Sequence, residues 1–122
     1  MDTEAALEFA RKWVDAWNAH DVDRVLEHFT EDAEFYSPFI VTIAKEPTGR
    51  LVGKPAISAY WSAALARIPD LQFELVDVLV GVDSVTIYYK GHRGLVAETL
   101  FFDATGFVKM ATACYSTGFG TR

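Results

Sequence analysis

The residue best suited to chemistry in this sequence is Glu98, which lies in the apolar run LVAETLFF at positions 95–102. If its side chain points inward, the loss of surrounding water disfavours the carboxylate and raises its pKa. A carboxyl group with a raised pKa can act as a general acid, or as a base near neutral pH. The alternative is an outward Glu98 at a sheet rim or dimer interface, paired with Lys90 or Lys109. We take the inward orientation as the working hypothesis.

A second carboxylate, Asp32 in the segment EDAEF, is a weaker catalytic candidate. It follows the second predicted helix, from which it could project toward the mouth of a pocket. An aspartate at a turn such as 30–32 more often accepts hydrogen bonds from backbone amides and orders the entry to the next strand. Tyr36 and Ser37 follow on that strand, where consecutive side chains point to opposite faces, so at most one of them faces a pocket.

Four aromatic residues lie on the apolar faces of predicted helices: Trp13, Trp17, Tyr60 and Trp61. Aromatic residues at helical spacing usually belong to a closed core. If the fold encloses a cavity, the same side chains form its walls and can stack on a flat ring. They are therefore the predicted ligand-binding residues for a small apolar molecule that contains a ring.

The sequence shows no pattern typical of a metal or cofactor site. No two of the three histidines, His20, His28 and His92, have the i, i+4 spacing of a helical zinc motif. No glycine-rich phosphate loop and no Ser-His-Asp order is present. A single cysteine, Cys114, excludes an internal disulfide, and we expect it to be a small buried apolar residue. No cofactor and no metal are therefore expected.

Length and composition limit the fold and its partners. A chain of 122 residues reads as one domain over 1–122, and a chain of this size buries about two thirds of its unfolded surface. Hydrophobic residues make up 51% and aromatic residues 14%, which suits a ligand-sized apolar interior rather than disorder. The net charge of −6 argues against nucleic acid and anionic membranes as partners. Neither a secretory leader nor an apolar run of membrane-spanning length is visible, so we expect a cytoplasmic protein.

The elements that must position these residues follow an α+β order. Apolar spacing predicts a helix over about 3–19, and a short second helix capped by Asp21. A strand is predicted over about 33–43, and a third helix starts at Lys54 and Pro55 and stops at Pro69. Antiparallel strands are then predicted over about 71–80, 84–91, 95–103 and 107–117, with turns containing glycine between them.

Within the first of these later strands the apolar alternation changes phase. It runs to Leu75 and continues from Val76 on the opposite face. A slip of one residue predicts a β-bulge, which bends the strand and helps the sheet to curl around a cavity.

The later strands are apolar on both faces, as in VTIYY and FVKMATACY. A sheet with one wet face should alternate cleanly, so both faces are expected to be covered. Three helices can cover one face, and we expect a second copy of the chain to cover the other in a two-fold homodimer. Tyr88 and Tyr89 then point to opposite faces, one toward the pocket and one toward the interface. Incidental apolar residues on a free surface are the alternative.

The order of elements resembles the nuclear transport factor 2-like superfamily, and within it the SnoaL-like and ketosteroid isomerase-like group. The matching pieces are WVDAWNAHDVDRVLEHFTEDAEF, GKPAISAYW and ETLFFDATGFV, and the resemblance spans roughly residues 5–115. It implies a cone-shaped, curved, mixed or antiparallel sheet wrapped by three helices from the N-terminal half. It also implies an apolar pocket inside the cone, and usually a dimer through the outer sheet face.

Comparison with ketosteroid isomerase implies roles for individual residues. The tyrosine donor of that family corresponds to Trp13 here, the carboxylate base to Ser37, and the protonated acid to Glu98. Trp61 corresponds to a pocket aromatic. An indole N–H can donate a hydrogen bond but cannot shuttle a proton, and a serine without a partner is no general base. Ketosteroid isomerase chemistry by that mechanism is therefore not expected, and Ser37 is a weak catalytic candidate that also contacts the ligand.

Because one fold supports many activities, the resemblance leaves the reaction open. The first hypothesis is a cofactor-free isomerase, polyketide cyclase-like or dehydratase-like enzyme. It would act on a small apolar cyclic substrate by proton transfer through Glu98. The alternative is a non-catalytic domain that binds a hydrophobic ligand, or a dimeric assembly domain with a residual pocket.

Overall fold

The computed structural model describes residues 1–120, which form four helices and a six-stranded sheet. Helix α1 (Thr3–Asn18) starts at Asp2, whose side chain accepts a hydrogen bond from the backbone N–H of Ala5. Helix α2 (Val22–Leu26) starts at the predicted cap Asp21, which accepts from the N–H of Arg24 at 3.2 Å. Both aspartates satisfy backbone donors that a helix N-terminus leaves without a partner.

Six strands form one curved, unclosed sheet. They are β1 (Phe29–Tyr36), β2 (Arg50–Val52), β3 (Glu74–Val80), β4 (Ser84–Lys90), β5 (Leu95–Phe102) and β6 (Val108–Tyr115). Their order across the sheet is β2-β1-β6-β5-β4-β3, so β2 and β3 are the edge strands. Strands β1 and β6 pair in parallel and all other neighbours pair antiparallel, which makes the sheet mixed.

One face of the sheet packs against the apolar residues of helices α1 and α2 and of α4 (Lys54–Arg67), which is the third predicted helix. We call this the inner face. Strand β5 shows the alternation most clearly, because Val96, Glu98, Leu100 and Phe102 are buried while the residues between them are half-buried. Each large apolar side chain buried in this way stabilises the fold by about 1.5–3 kcal/mol.

The predicted β-bulge is confirmed in β3. Leu75 pairs with Tyr89 of β4, and Asp77 then pairs with Tyr88, so Val76 has no partner in the register. The extra residue bends β3 and increases the local twist.

The strand predicted over 33–43 is wrong in its second half. The segment after β1 is a short helix, α3 (Pro38–Ile43), in which the Ser37 side chain accepts a hydrogen bond from the N–H of Phe39. Strand β1 also begins earlier than expected, at Phe29, because it pairs there with Val108 of β6. The turn expected at 30–32 is therefore part of a strand.

Two smaller expectations also change. Strand β3 begins at Glu74 rather than at residue 71. Cys114, expected to be buried, is exposed on β6, because it lies between the inward residues Ala113 and Tyr115. No helix within residues 1–120 is long and apolar enough to cross a membrane.

Candidate functional site

A cavity of about 240 Å³ lies between the inner face of the sheet and the helices. Helix α3, the turn between β4 and β5, and the segment after β6 contribute the rest of its lining. His92 and Arg93 of that turn are exposed and mark the mouth. Most of the remaining lining is aromatic or aliphatic: Trp17, Phe35, Phe39, Ile43, Tyr60, Trp61, Ile68, Leu71, Phe73, Tyr89, Val96, Tyr115 and Phe119.

Glu98 is the carboxyl residue of the described cavity lining, and only 4% of its surface is exposed. The hydroxyl of Tyr89 donates a hydrogen bond to Oε1 of Glu98 at 3.4 Å. The other oxygen, Oε2, has no partner within the described residues. Burial raises the pKa of Glu98 to about 8, and the Tyr89 hydrogen bond opposes this shift only in part. The carboxyl group is therefore mainly neutral at pH 7.

The strand register places two tyrosines beside Glu98. Tyr89 of β4 and Tyr115 of β6 both pair with Val96, two residues before Glu98 on the same face. Each tyrosine is thus a diagonal neighbour of the carboxyl group, a position within reach of a long side chain. The residue directly opposite Glu98 on β6 is the small Ala113, which leaves room beside the carboxyl group.

The three phenol groups of the cavity remain protonated at neutral pH. Burial is the largest cause that raises the pKa of Tyr60, Tyr89 and Tyr115. The negative charge that Glu98 would carry raises the pKa of all three further. The phenols are therefore available as hydrogen-bond donors and not as bases.

Ser37 connects helix α3 to this group of side chains. Its Oγ accepts a hydrogen bond from the N–H of Phe39 at 3.2 Å and donates one to the hydroxyl of Tyr115 at 3.4 Å. The ring of Phe39 packs edge-on against the Tyr115 ring, with centroids 4.6 Å apart. Phe119, which follows β6, packs against both rings.

The family model of the SnoaL-like domain matches residues 10–113. The chain belongs to the SnoaL-like domain family. No protein of curated function matches this sequence.

Three solved structures are similar to this chain. A SnoaL-like protein of unknown function from Burkholderia thailandensis is 48% identical, with a TM-score of 0.90 over 94% of this chain and 97% of that one. A proposed isomerase of the SnoaL-like family from Agrobacterium tumefaciens is 14% identical, with a TM-score of 0.74 over 93% and 99%.

The third is SalBIII, an epoxide hydrolase/cyclase-like enzyme of pyran ring formation in the polyether salinomycin. It is 16% identical, with a TM-score of 0.75 over 97% of this chain and 95% of that one. The last two likenesses show the fold alone.

Among the predicted aromatic residues of this SnoaL-like chain, Trp17, Tyr60 and Trp61 line the cavity. Trp13 does not; it lies buried behind the lining, stacked on Phe73 with ring centroids 6.0 Å apart. The Nε1 atoms of Trp13 and Trp17 are buried and have no partner within the described residues.

The two weak catalytic candidates lie in different environments. Ser37 is 4% exposed and lies next to the Tyr115 hydroxyl, although its own hydroxyl is already engaged as a helix cap. Asp32 is exposed on β1 and is not part of the cavity lining. Tyr36 lies on the outer face, where its hydroxyl donates to Glu34 at 2.9 Å.

Sequence reasoning missed Tyr115, Phe39 and Phe119. Tyr115 occupies the inward phase of β6, but its place beside Glu98 depends on the register between two strands, which the sequence does not reveal. Phe39 lines the cavity only because residues 38–43 form a helix.

The three histidines lie in separate places. His20 contacts the carbonyl of Leu71 through Nε2 at 3.0 Å, His28 packs against Phe107, and His92 is at the mouth. Within residues 1–120, no group of three or more His, Cys, Asp or Glu side chains is arranged to hold a metal ion.

Proposed function

We propose that this protein is an enzyme that transfers protons on a small apolar cyclic substrate without a cofactor. The reaction classes are isomerisation, polyketide cyclase-like ring closure and dehydration, and Glu98 moves the proton. The observation that carries the proposal is a buried carboxyl group that lines the cavity with one oxygen unpaired.

The pKa of Glu98 suits both directions of proton transfer. With a pKa of about 8, roughly one molecule in ten carries the carboxylate at pH 7. The neutral form can protonate an oxygen of the substrate, and the charged form can take a proton from a carbon next to a carbonyl group. Because one group gives and takes the same proton, the enzyme returns to its starting state.

The shape and chemistry of the cavity support a flat apolar substrate. Trp17, Tyr60 and Trp61 present ring surfaces on the helix side, and the cavity volume of about 240 Å³ suits one or two rings. Ser37 does not supply a second base, because its hydroxyl already caps α3.

Hydrogen exchange tests the proposal without knowledge of the product. We would incubate cyclic ketones with the protein in deuterated water and follow deuterium uptake at the carbon next to the carbonyl by mass spectrometry. Wild-type protein should accelerate uptake, and Glu98→Gln should slow the catalysed rate by about 10²–10⁴-fold.

The matched control is Glu34→Gln, which alters a glutamate on the outer face and should leave the rate unchanged. The catalysed rate should rise with pH up to about 8, because the carboxylate is the base. An unchanged rate in Glu98→Gln would exclude Glu98 as the proton carrier.

The second candidate function is ligand binding without catalysis. It is favoured by the lack of a second carboxyl group in the described cavity lining. A ring ketone that quenches tryptophan fluorescence saturably, with no exchange under any condition, would support this alternative.

We also propose that two copies associate through the outer face of the sheet. That face carries Tyr88, Phe101 and Met110, which are half-buried and lie on the side of the sheet away from the core that residues 1–120 form. Light scattering should show a dimer at micromolar concentration, and Phe101→Asp should shift it to a monomer. A wild-type monomer under those conditions would overturn this proposal.

A further inference from the structure

The segment that follows β6, residues 116–120, is attached at both of its ends to the start of β5 and to the turn before it. The backbone N–H of Ser116 donates to the carbonyl of Leu95 at 2.9 Å, and that of Gly120 donates to the carbonyl of Arg93 at 3.0 Å. Nη2 of Arg93 also donates to the carbonyl of Gly120 at 2.9 Å. Arg93 therefore holds Gly120 through both its backbone and its side chain.

The residue before this attachment, Phe119, lies closely against the turn between β4 and β5. Its N–H donates to the carbonyl of Ser116 at 2.8 Å. A side-chain carbon at Gly94 of the turn would lie 3.0 Å from Cδ2 of Phe119 and 3.2 Å from its Cα. These distances are shorter than ordinary van der Waals contact, so the approach depends on the missing side chain at Gly94.

On its other side the ring of Phe119 packs against helix α3 and the end of β6. The ring centroids are 5.5 Å from Phe39 and 4.9 Å from Tyr115. Phe119 thus contacts the β4–β5 turn on one side and α3 on the other, and it lines the cavity between them. A side chain in this place is a wall of the cavity, close to the exposed residues that mark its mouth.

Phe119 differs from the other aromatic walls in its surroundings. Trp17, Trp61 and Phe35 belong to helices or strands and are buried in the core, so their replacement would disturb the packing of the fold. Phe119 is half-buried and packs against the core from its edge. The length of the cavity can therefore change at this position while the core stays intact.

We propose that Phe119 sets the length of the ligand that the cavity accepts, and that Arg93 is the positioning residue that holds Phe119 in place through Gly120. A cavity of about 150 Å³ accommodates benzene. The volume here, about 240 Å³, suits two fused rings, and space for a third ring would have to come from the place of the Phe119 ring.

The ligand class that follows is a flat ketone of two fused rings. This inference deepens the proposed function by giving the size of its substrate, and it rests on that function for the place where the substrate binds. It is tested by binding and not by turnover, so that the two proposals can fail separately.

The probes are 1-indanone, with two fused rings, and 9-fluorenone, which adds a third. We would measure their dissociation constants from the quenching of tryptophan fluorescence, since Trp17 and Trp61 line the cavity. Wild-type protein should bind 1-indanone about tenfold or more tightly than 9-fluorenone. Phe119→Ala should tighten the binding of 9-fluorenone about tenfold or more, because the third ring is then buried where the phenyl ring was.

Two further variants make the test two-sided. Phe119→Trp places a larger ring at the same wall and should weaken the binding of 1-indanone. Phe107→Ala is the matched control, since Phe107 is 41% exposed and is not part of the described cavity lining. It should leave both affinities unchanged.

The positioning role of Arg93 is tested through Phe119. Arg93→Ala removes one of the two hydrogen bonds to Gly120 and should tighten the binding of 9-fluorenone less than Phe119→Ala does. It should have no further effect in Phe119→Ala, because both changes act on the same wall. Arg93→Lys keeps a side-chain donor and should restore the preference for 1-indanone.

Each result decides one point. An unchanged ratio of the two dissociation constants in Phe119→Ala, or an equal change in Phe107→Ala, would overturn the role of Phe119, as would the failure of both probes to bind wild-type protein. Additive effects of Arg93→Ala and Phe119→Ala would overturn the positioning role of Arg93. A ring preference that depends on Phe119, together with deuterium exchange that Glu98→Gln does not affect, would support this inference while rejecting the proposed function.

Discussion

The pKa values of two glutamates on the same sheet, Glu34 and Glu98, are shifted in opposite directions. Each accepts a hydrogen bond from a tyrosine hydroxyl, from Tyr36 at 2.9 Å and from Tyr89 at 3.4 Å. On the outer face, Nε of Arg50 donates to Glu34 at 2.7 Å and is the main cause that lowers its pKa. On the inner face, burial raises the pKa of Glu98 to about 8. The tyrosine bond lowers the pKa in both cases, so burial and the arginine account for the difference.

The largest expected effect is a difference in the free energy of unfolding between substitutions at two adjacent residues of β5. Their side chains lie on opposite faces of the sheet. Leu100 is fully buried on the inner face, whereas Thr99 is half-buried on the outer face, its hydroxyl 2.8 Å from that of Thr86. Leu100→Ala should lower the free energy of unfolding by about 2–5 kcal/mol, because it leaves a cavity in a packed core. Thr99→Ala should cost about 1 kcal/mol or less.

Urea denaturation of the two variants at one pH measures this difference. If the two variants lose the same free energy of unfolding, the two faces are equally packed, and the difference described between them is wrong.

The next effect is the pH dependence of stability. Since burial raises the pKa of Glu98 to about 8 in the folded state, the unfolded chain releases this proton first as pH rises. The contribution of Glu98 to stability is therefore complete below its ordinary pKa and falls by about 1.4 kcal/mol per pH unit up to about pH 8.

Glu98→Gln removes this titration, so its stability relative to wild type should increase with pH over that range and stay constant above it. Urea denaturation at several pH values measures the difference. The control Glu34→Gln should keep a constant stability difference from wild type over that range and should gain stability relative to wild type only as pH falls below the ordinary pKa of Glu34. Because the pKa of Glu34 is lowered in the folded state, its stabilising effect is present above its ordinary pKa and lost as pH falls. If the curves of stability against pH run parallel for wild type and Glu98→Gln, Glu98 does not lie in a dry environment.

A smaller effect is expected from Tyr89→Phe. The Tyr89 hydroxyl lowers the pKa of Glu98 against the larger effect of burial, so its removal should raise that pKa further. Carbon-detected NMR of the Glu98 carboxyl through a pH titration measures the change. A lowered pKa in this variant would mean that water enters the space left by the hydroxyl.

The smallest effect concerns the outer face. Arg50→Gln should return the pKa of Glu34 toward its ordinary value, because the Arg50 hydrogen bond is the main cause of its shift. Both side chains are partly exposed, so added salt should weaken the shift in wild-type protein. The pKa of Glu98 should not respond to this variant, and NMR titration of both carboxyls in one sample tests that independence.

The direction of the Glu98 side chain could not be predicted from the strand pattern, because LVAETLFF is apolar on both faces and a period of two gives the direction only once the phase is known. The inward orientation was a working hypothesis that the resemblance to ketosteroid isomerase favoured. The phase slip at Leu75 and Val76 depends only on neighbouring residues in the chain, and it did predict the bulge.

Helix α3 could have been predicted but was not. The pair Ser37 and Pro38 is a helix start, with a capping side chain and a proline in the first turn. The same reasoning was applied correctly to Lys54 and Pro55. The β-branched residues that follow Pro38 have a high strand propensity, which competes with this helix signal.

Tyr115 could not have been found in this way. Its importance comes from pairing with Val96 across β5 and β6, and from a serine 78 residues away in the chain. Register between strands is set by the packing of the whole sheet, not by any short pattern.

The β-bulge in β3 has a consequence for how molecules meet one another. Strand β3 is an edge of the sheet, and Val76, Leu79 and Val80 are exposed on it. An apolar edge of this kind invites a strand from another chain to add to the sheet. The bulge interrupts the regular spacing that such a strand would need, and it brings the charge of Asp77 to the middle of the edge, where its side chain accepts the N–H of Val78 at 2.8 Å. One additional residue therefore both bends β3 and disfavours the addition of a strand from another chain at this edge.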